Sequence, residues 1–149
     1  MKYAASYRVN EDLTLYATQA AGYRPGGNQA PLPPFCSSDE AAQANFSRRF
    51  NSDEAETTEF GVKARGENYT ANVTYFDVDW DGIIIQVTPG CGLRYNFNGG
   101  KAETSGWEFD FTYAVNDSVS LDFAGSTMTA ETSIDIASLG ASAGDRLPN

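Results

Sequence analysis

Six short stretches of this 149-residue chain alternate apolar with polar residues, and the links between them are alternately short and long. Leu13, Leu15 and Ala17 interleave with Thr14, Tyr16 and Thr18, and Phe60, Val62 and Ala64 with Glu59, Gly61 and Lys63. Trp107, Phe109, Phe111, Tyr113 and Val115 interleave with Glu108, Asp110, Thr112 and Ala114, and Val119, Leu121 and Phe123 with Ser120 and Asp122. A period of two sends alternate side chains to opposite faces of a β-sheet. The pattern predicts strands over 3–8, 13–23, 57–65 and 69–80 (the last running on toward Ile85), a fifth ending near 115 and a sixth from 119 to about 131. Asn10-Glu11-Asp12, Gly66-Glu67-Asn68 and Asn116-Asp117-Ser118 are tight links, whereas 25–56, 86–98 and the segment from 132 onward read as long and irregular.

Short turns at one end and long loops at the other are the rhythm of an outer-membrane β-barrel wall. The expected fold class is therefore all-β: an antiparallel meander of about six strands, part of a transmembrane barrel. Ile83-Ile84-Ile85 is the densest apolar patch, far short of the ~18 residues of a membrane helix. The negative mean hydropathy does not separate a soluble sheet from a barrel, because alternation hides the apolarity of barrel strands. Met1-Lys2-Tyr3 runs directly into strand-like sequence with no leader, so the expectation is a cytosolic chain or a fragment.

A net charge of −10 argues against nucleic acid, which needs clustered Lys and Arg. The acidic excess is heaviest after Ala102, where Arg146 is the sole cation; it reads first as a solubilising surface, with attraction of cationic ligands as the alternative. The chain has no histidine, which removes Ser-His and Cys-His catalysis and His-based metal sites. Glu108 with Asp110, and Asp77 with Asp79, face one way on their strands, but with 20 acidic residues present such pairs arise by chance. No catalytic, cofactor-binding or metal-binding residue is assigned. Cys36 and Cys91 are too far apart for C-x-x-C chemistry; in loops on one rim they form a disulfide in an oxidising compartment, or stay two unrelated thiols.

Gly22-Tyr23-Arg24-Pro25-Gly26-Gly27 ends the second strand, since Pro25 cannot donate to a ladder and paired glycines permit a sharp departure. Within the long link that follows, 37–45 reads as a short helix capped by Ser38. The alternation of the fourth strand changes phase at Tyr75-Phe76, which fits either a β-bulge or emergence from a membrane band. Tyr3, Tyr7, Tyr23, Tyr69, Trp107 and Tyr113 sit near strand ends, where barrels carry aromatic girdles. No internal repeat stands out, which disfavours propellers and solenoids.

Three motifs together carry a family resemblance. Gly22-Tyr23-Arg24-Pro25-Gly26-Gly27 resembles the G-[FY]-R-P-G-G segment of TonB-dependent outer-membrane receptors, and Glu59-Phe60-Gly61-Val62-Lys63 their E-x-G-x-K strand. Asn98-Gly99-Gly100-Lys101-Ala102 with Gly106-Trp107-Glu108 resembles their N-x-G-x-A-x-x-x-G-x-E strand. Gly144-Asp145-Arg146-Leu147-Pro148 is similar to a segment preceding further barrel strands, and the loop cysteines resemble those of the iron-complex subgroup. The resemblance implies an internal piece of the later half of a barrel of about 22 strands, without plug domain, TonB box or C-terminal strand. Residues 1–149 are then one partial barrel wall in a Gram-negative outer membrane.

Implied partners are the outer-membrane lipid bilayer, a ferric chelate or similar scarce ligand bound by the whole receptor, and TonB through parts beyond this chain; no cofactor is implied. The motif residues Gly22, Tyr23, Arg24, Pro25, Gly26, Gly27, Glu59, Gly61, Lys63, Asn98, Gly100, Ala102, Gly106 and Glu108 are expected to be wall rather than chemistry, with no substrate-contacting residue named. Val62, Phe109, Phe111, Leu121 and Phe123 are expected on an apolar outer face, and Glu59, Lys63, Glu108, Asp110 and Asp122 opposite. Cys36 and Cys91 are expected to tie two extracellular loops together. The expected activity is TonB-coupled uptake; the alternatives are a non-transporting adhesion barrel and a soluble carbohydrate-binding β-sandwich.

Overall fold

The computed structural model describes residues 1–134 and 142–146. Ten strands, one 3-10 turn and one short helix are described: β1 (Lys2–Arg8), β2 (Leu13–Arg24), β3 (Gly27–Asn28), the turn Pro34–Cys36, α1 (Glu40–Asn45), β4 (Arg49–Phe50), β5 (Asp53–Arg65), β6 (Tyr69–Asp81), β7 (Ile84–Val87), β8 (Tyr95–Asn98), β9 (Lys101–Asn116) and β10 (Val119–Thr132). The six long strands form one sheet in the order β1-β2-β5-β6-β9-β10, so each pairs with its sequence neighbours among them. β1 and β2 are antiparallel, with Ala5 opposite Ala17 and Tyr7 opposite Leu15. The chain divides into two compact units, 1–21 with 56–78 and 104–130, and 22–55 with 79–103 and 131–149.

In the first unit the two faces of the sheet follow from cross-strand contacts. On one face the Tyr16 hydroxyl bonds Thr74 at 2.6 Å, Asn72 donates to Asp110 at 3.4 Å, and Thr112 donates to Asp122 at 2.7 Å. Lys63 lies over the Tyr16 ring at 5.0 Å. On the other face Tyr69 stacks with Phe111 and Tyr75 tilts against Trp107, with centroids 6.3 and 5.1 Å apart. Alternation from these anchors puts Phe60, Val62, Phe109, Leu121 and Phe123 on the aromatic face and Glu59 and Glu108 on the polar one, as expected.

No apolar side chain of this unit is buried among the described residues, and most large ones on the aromatic face stay open: Phe60 is 56%, Phe109 48% and Phe123 60% exposed. A water-soluble sheet would cover such a face. A hydrocarbon-facing barrel wall leaves it bare.

The phase change in β6 occurs without interrupting the strand. Tyr75 contacts Trp107 on the aromatic face, while a Cβ at Gly106 would meet the Phe76 ring at 2.8 Å on the other. The two aromatics therefore serve opposite faces of one continuous strand. Past Tyr75, the positions continuing the aromatic side of β6 are Asp77, Asp79 and Asp81.

The long links are more regular than the sequence indicates. Gly82, at φ 63°, ends the run toward Ile85, and the chain restarts as β7, which pairs antiparallel with β8. β3 pairs with β4 inside the link read as irregular. α1 is capped by Asp39, which accepts from the Ala42 N–H at 3.0 Å, and not by Ser38. The carboxylate one residue on reaches the first turn, and Ser38 falls outside it. The segment from 132 onward lies partly outside the described residues; within them the backbone of Glu131 forms an isolated antiparallel β-bridge with that of Arg146.

Candidate functional site

The second unit carries the buried apolar residues. Cys36, Ala42, Tyr95 and Phe97 form its core, with Leu32, Phe46, Ile85, Val87, Cys91 and Leu93 packed around them. These come from the two long loops that precede β5 and β9. Phe46 meets Tyr95 edge to face, with centroids 5.4 Å apart, a geometry favoured by the ring quadrupoles. Burial raises the Tyr95 phenol above its usual pKa, and the Asp39 charge adds to this.

Cys36 and Cys91 are joined in a disulfide, with Cα atoms 5.3 Å apart, inside the usual range. Asp39 reinforces the staple: one oxygen caps α1 and the other accepts the Cys91 N–H at 2.8 Å. One carboxylate therefore ties the helix of the first loop to the turn of the second.

Two of the three motifs converge on a segment that sequence reasoning passed over, Phe50 to Asp53. From the first motif, Arg24 pairs with Asp53, its Nε lying 2.8 Å from Oδ2 and its Nη2 closer still. Asp53 also accepts the backbone N–H of Arg24 at 3.2 Å and of Ile84 at 3.1 Å. The Arg24 guanidinium holds the Asp53 carboxyl down to about 2, against the upward push of burial and helped by those two N–H groups. Arg24 also lies over the Trp80 ring at 5.0 Å. Pro25 follows the last residue of β2, as expected, and a Cβ at Gly26 would collide with the backbone of Phe50, Asn51 and Ser52. Gly22 and Tyr23 make no such approach: space around Gly22 is open and Tyr23 is 76% exposed.

From the third motif, Asn98 accepts the Asn51 N–H at 2.6 Å and donates to the Asn51 carbonyl at 3.0 Å and the Gly82 carbonyl at 2.7 Å. A side-chain amide thus pairs with a backbone amide as a neighbouring strand would. Gln29 repeats the device, accepting from Asn96 N at 2.9 Å and donating to Asn96 O at 2.8 Å and Ser47 O at 2.6 Å. The Gly100 carbonyl accepts from Ile83 N–H at 2.9 Å, and Ala102 is buried.

The second motif lies in the first unit. Gly61 sits under the Tyr16 ring, which a Cβ would penetrate, and Lys63 caps that ring from the other strand position. Glu59 and Glu108 lie on the same polar face, and Gly106 is closed in by Phe76, the Thr127 carbonyl and Met128.

Gly26, Gly27, Asn28, Arg49, Phe50, Asn51 and Ser52 surround an open cleft of about 620 Å³. Sequence reasoning missed Gln29, Asp39, Arg49, Asn51 and Asp53. Only Asp39 carried a local signal, as an acidic residue ahead of a short helical stretch; the others depend on partners distant in sequence. No group of acidic or cysteine side chains among the described residues is arranged to hold a metal ion.

Residues 2–149 match the family described as TonB dependent receptor-like, beta-barrel. The fold is similar to the ferric yersiniabactin uptake receptor FyuA from Yersinia pestis, at TM-score 0.74 and 20% identity over 99% of this chain and 20% of that one. It is also similar to the closed form of the ferric-catecholate import receptor Fiu from E. coli K12, at TM-score 0.62 and 21% identity over 95% of this chain and 20% of that one. The chain spans about a fifth of the length of these receptors. The bare apolar face, the strand-and-loop rhythm and the match over nearly every residue agree: the chain belongs to the TonB-dependent receptor β-barrel family, a family of Gram-negative outer-membrane receptors rather than enzymes.

Proposed function

We propose that this chain is part of the barrel wall of a receptor that imports a ferric siderophore, or a similar large scarce ligand, by TonB-coupled transport. In this reading the long strands face lipid, the loop unit meets the ligand, and the plug and TonB-contacting segments belong to the rest of the receptor. The observation that carries it is the division of labour in burial. The sheet unit buries no apolar side chain among its described residues, whereas the loops build a core around a disulfide. Ordering loops costs entropy, and pre-organisation of that kind reduces the cost of binding. An adhesion barrel shares the wall but has no need of energy coupling. That FyuA and Fiu, to which the fold is similar, are receptors for ferric complexes also supports uptake.

The test is uptake of radiolabelled iron chelates by iron-starved cells with and without the gene for the full receptor. Uptake should fall in the deletion strain and on collapse of the proton gradient, and return with the gene. Unchanged uptake across a panel of ferric chelates would refute the reading.

A further inference from the structure

The cleft lined by Gly26–Asn28 and Arg49–Ser52 has a charge character opposite to that of the chain. The protein carries a net −10, yet the residues around this cleft include one cation, Arg49, and no carboxylate. The nearest acid in sequence, Asp53, is buried and committed to Arg24 and to two backbone N–H groups. Arg24–Asp53 is the only ion pair among the described residues, so the exposed Arg49 guanidinium has no acidic partner there. Asn28, opposite Arg49 in the β3–β4 pair, adds an amide donor, and Ser52 a hydroxyl. The motif glycines let the two segments that line the cleft pair closely: a Cβ at Gly26 would collide with the Phe50–Ser52 backbone, and one at Gly27 would meet the Phe50 ring at 2.8 Å.

We infer that this cleft is an anion-recognising subsite, and that the receptor's ligand is a net-negative ferric chelate whose peripheral carboxylate or phenolate oxygens are met by Arg49. The inference rests on the uptake reading above and adds the charge class of the ligand. A guanidinium presents several N–H donors in a plane and suits paired oxygens. The walls are polar and free of carboxylates, so an uncharged chelate gains little there.

The test uses the full-length receptor in outer-membrane vesicles with two probes, a triply anionic ferric tris-catecholate and a neutral ferric tris-hydroxamate. Wild type should prefer the anionic probe. Arg49→Gln should weaken its binding about tenfold, the loss of one charge-assisted hydrogen bond, and flatten its dependence on salt. Binding of the neutral probe should not change, and Arg49→Lys should recover part of the loss. Arg48→Gln removes the same charge at the preceding residue, outside the cleft, and should have little effect; equal losses at 48 and 49 would mean diffuse steering and overturn the subsite. Equal binding of both probes, insensitive to Arg49→Gln, overturns the inference while leaving uptake intact. No binding of any chelate by wild type removes both.

Discussion

Gly61→Ala isolates the most economical contact in the sheet unit. A methyl group at this position would enter the ring of Tyr16, and the backbone beneath cannot retreat without breaking the pairing of β2 with β5. The ring must therefore swing away. Doing so breaks the 2.6 Å bond from its hydroxyl to Thr74, which is 7% exposed, and separates the ring from Lys63. The hydrogen bond contributes about 1 kcal/mol and the cation–π contact about 0.5–1 kcal/mol. Replacing a strand glycine offsets about 0.5–1 kcal/mol through reduced unfolded-state entropy. With the ring's lost cover added, the net cost is about 1–2 kcal/mol.

The assay is reversible urea unfolding of the full-length receptor in lipid vesicles, run as a double-mutant cycle with Tyr16→Ala. In the Tyr16→Ala background the glycine substitution should become neutral or stabilising, because nothing remains above it to displace. An equal cost in both backgrounds would refute the reasoning and place the penalty in the backbone.

Acid should release the loop unit in a defined window. Asp53 titrates at about 2 when folded and near 4 when unfolded, so its stabilisation is complete above pH ~4 and lost as pH falls through ~2. Linkage puts it at up to about 2 kcal/mol; loop-amide hydrogen exchange that rises over this range in wild type but not in Asp53→Asn is the expected outcome. Reducing Cys36–Cys91, which closes a separation of 55 residues, should cost about 4 kcal/mol by the chain-entropy argument. It should also speed trypsin cleavage after Arg48 and Arg94, which are exposed but held in folded loop backbone, whereas an unchanged digestion rate would show that the apolar core alone holds the loops. Gly106→Ala should destabilise by about 1–3 kcal/mol, since Phe76, Thr127 and Met128 enclose the site; Phe76→Leu should relieve part of that loss in the same unfolding assay.

The faces of the sheet were legible in the sequence because a period of two is a local property. Phe109 and Glu108 declare their sides without reference to any partner. The ends of β2 and β5 were less so: Arg24 extends one residue past Tyr23 and Asp53 four before Thr57, because both ends are held by the Arg24–Asp53 pair rather than by pattern. β3, β4, β7 and β8 are two to four residues each, too short for periodicity to register. They are held in place by Gln29 and Asn98, whose partners are 67 and 47 residues away. The candidate site is almost wholly of this second kind. Glycines in the motifs marked where the chain comes close to itself, but not what it comes close to.

Asn98 precedes a glycine, the sequence context in which asparagine most readily loses its amide nitrogen by attack of the following backbone nitrogen. In the folded loops that chemistry is held in check at both ends. The Asn98 amide is clamped between the carbonyls of Asn51 and Gly82, and the attacking Gly99 nitrogen donates to the Ile83 carbonyl at 3.1 Å. Opening the loops frees both groups at once. Loss of ammonia and hydrolysis of the cyclic imide leave a carboxylate whose new oxygen stands where the amide had two donor hydrogens, so it faces those two carbonyls with like polarity and the clamp cannot re-form. Each excursion from the closed state therefore carries a small irreversible risk, and the loops keep a chemical record of how often they have been open.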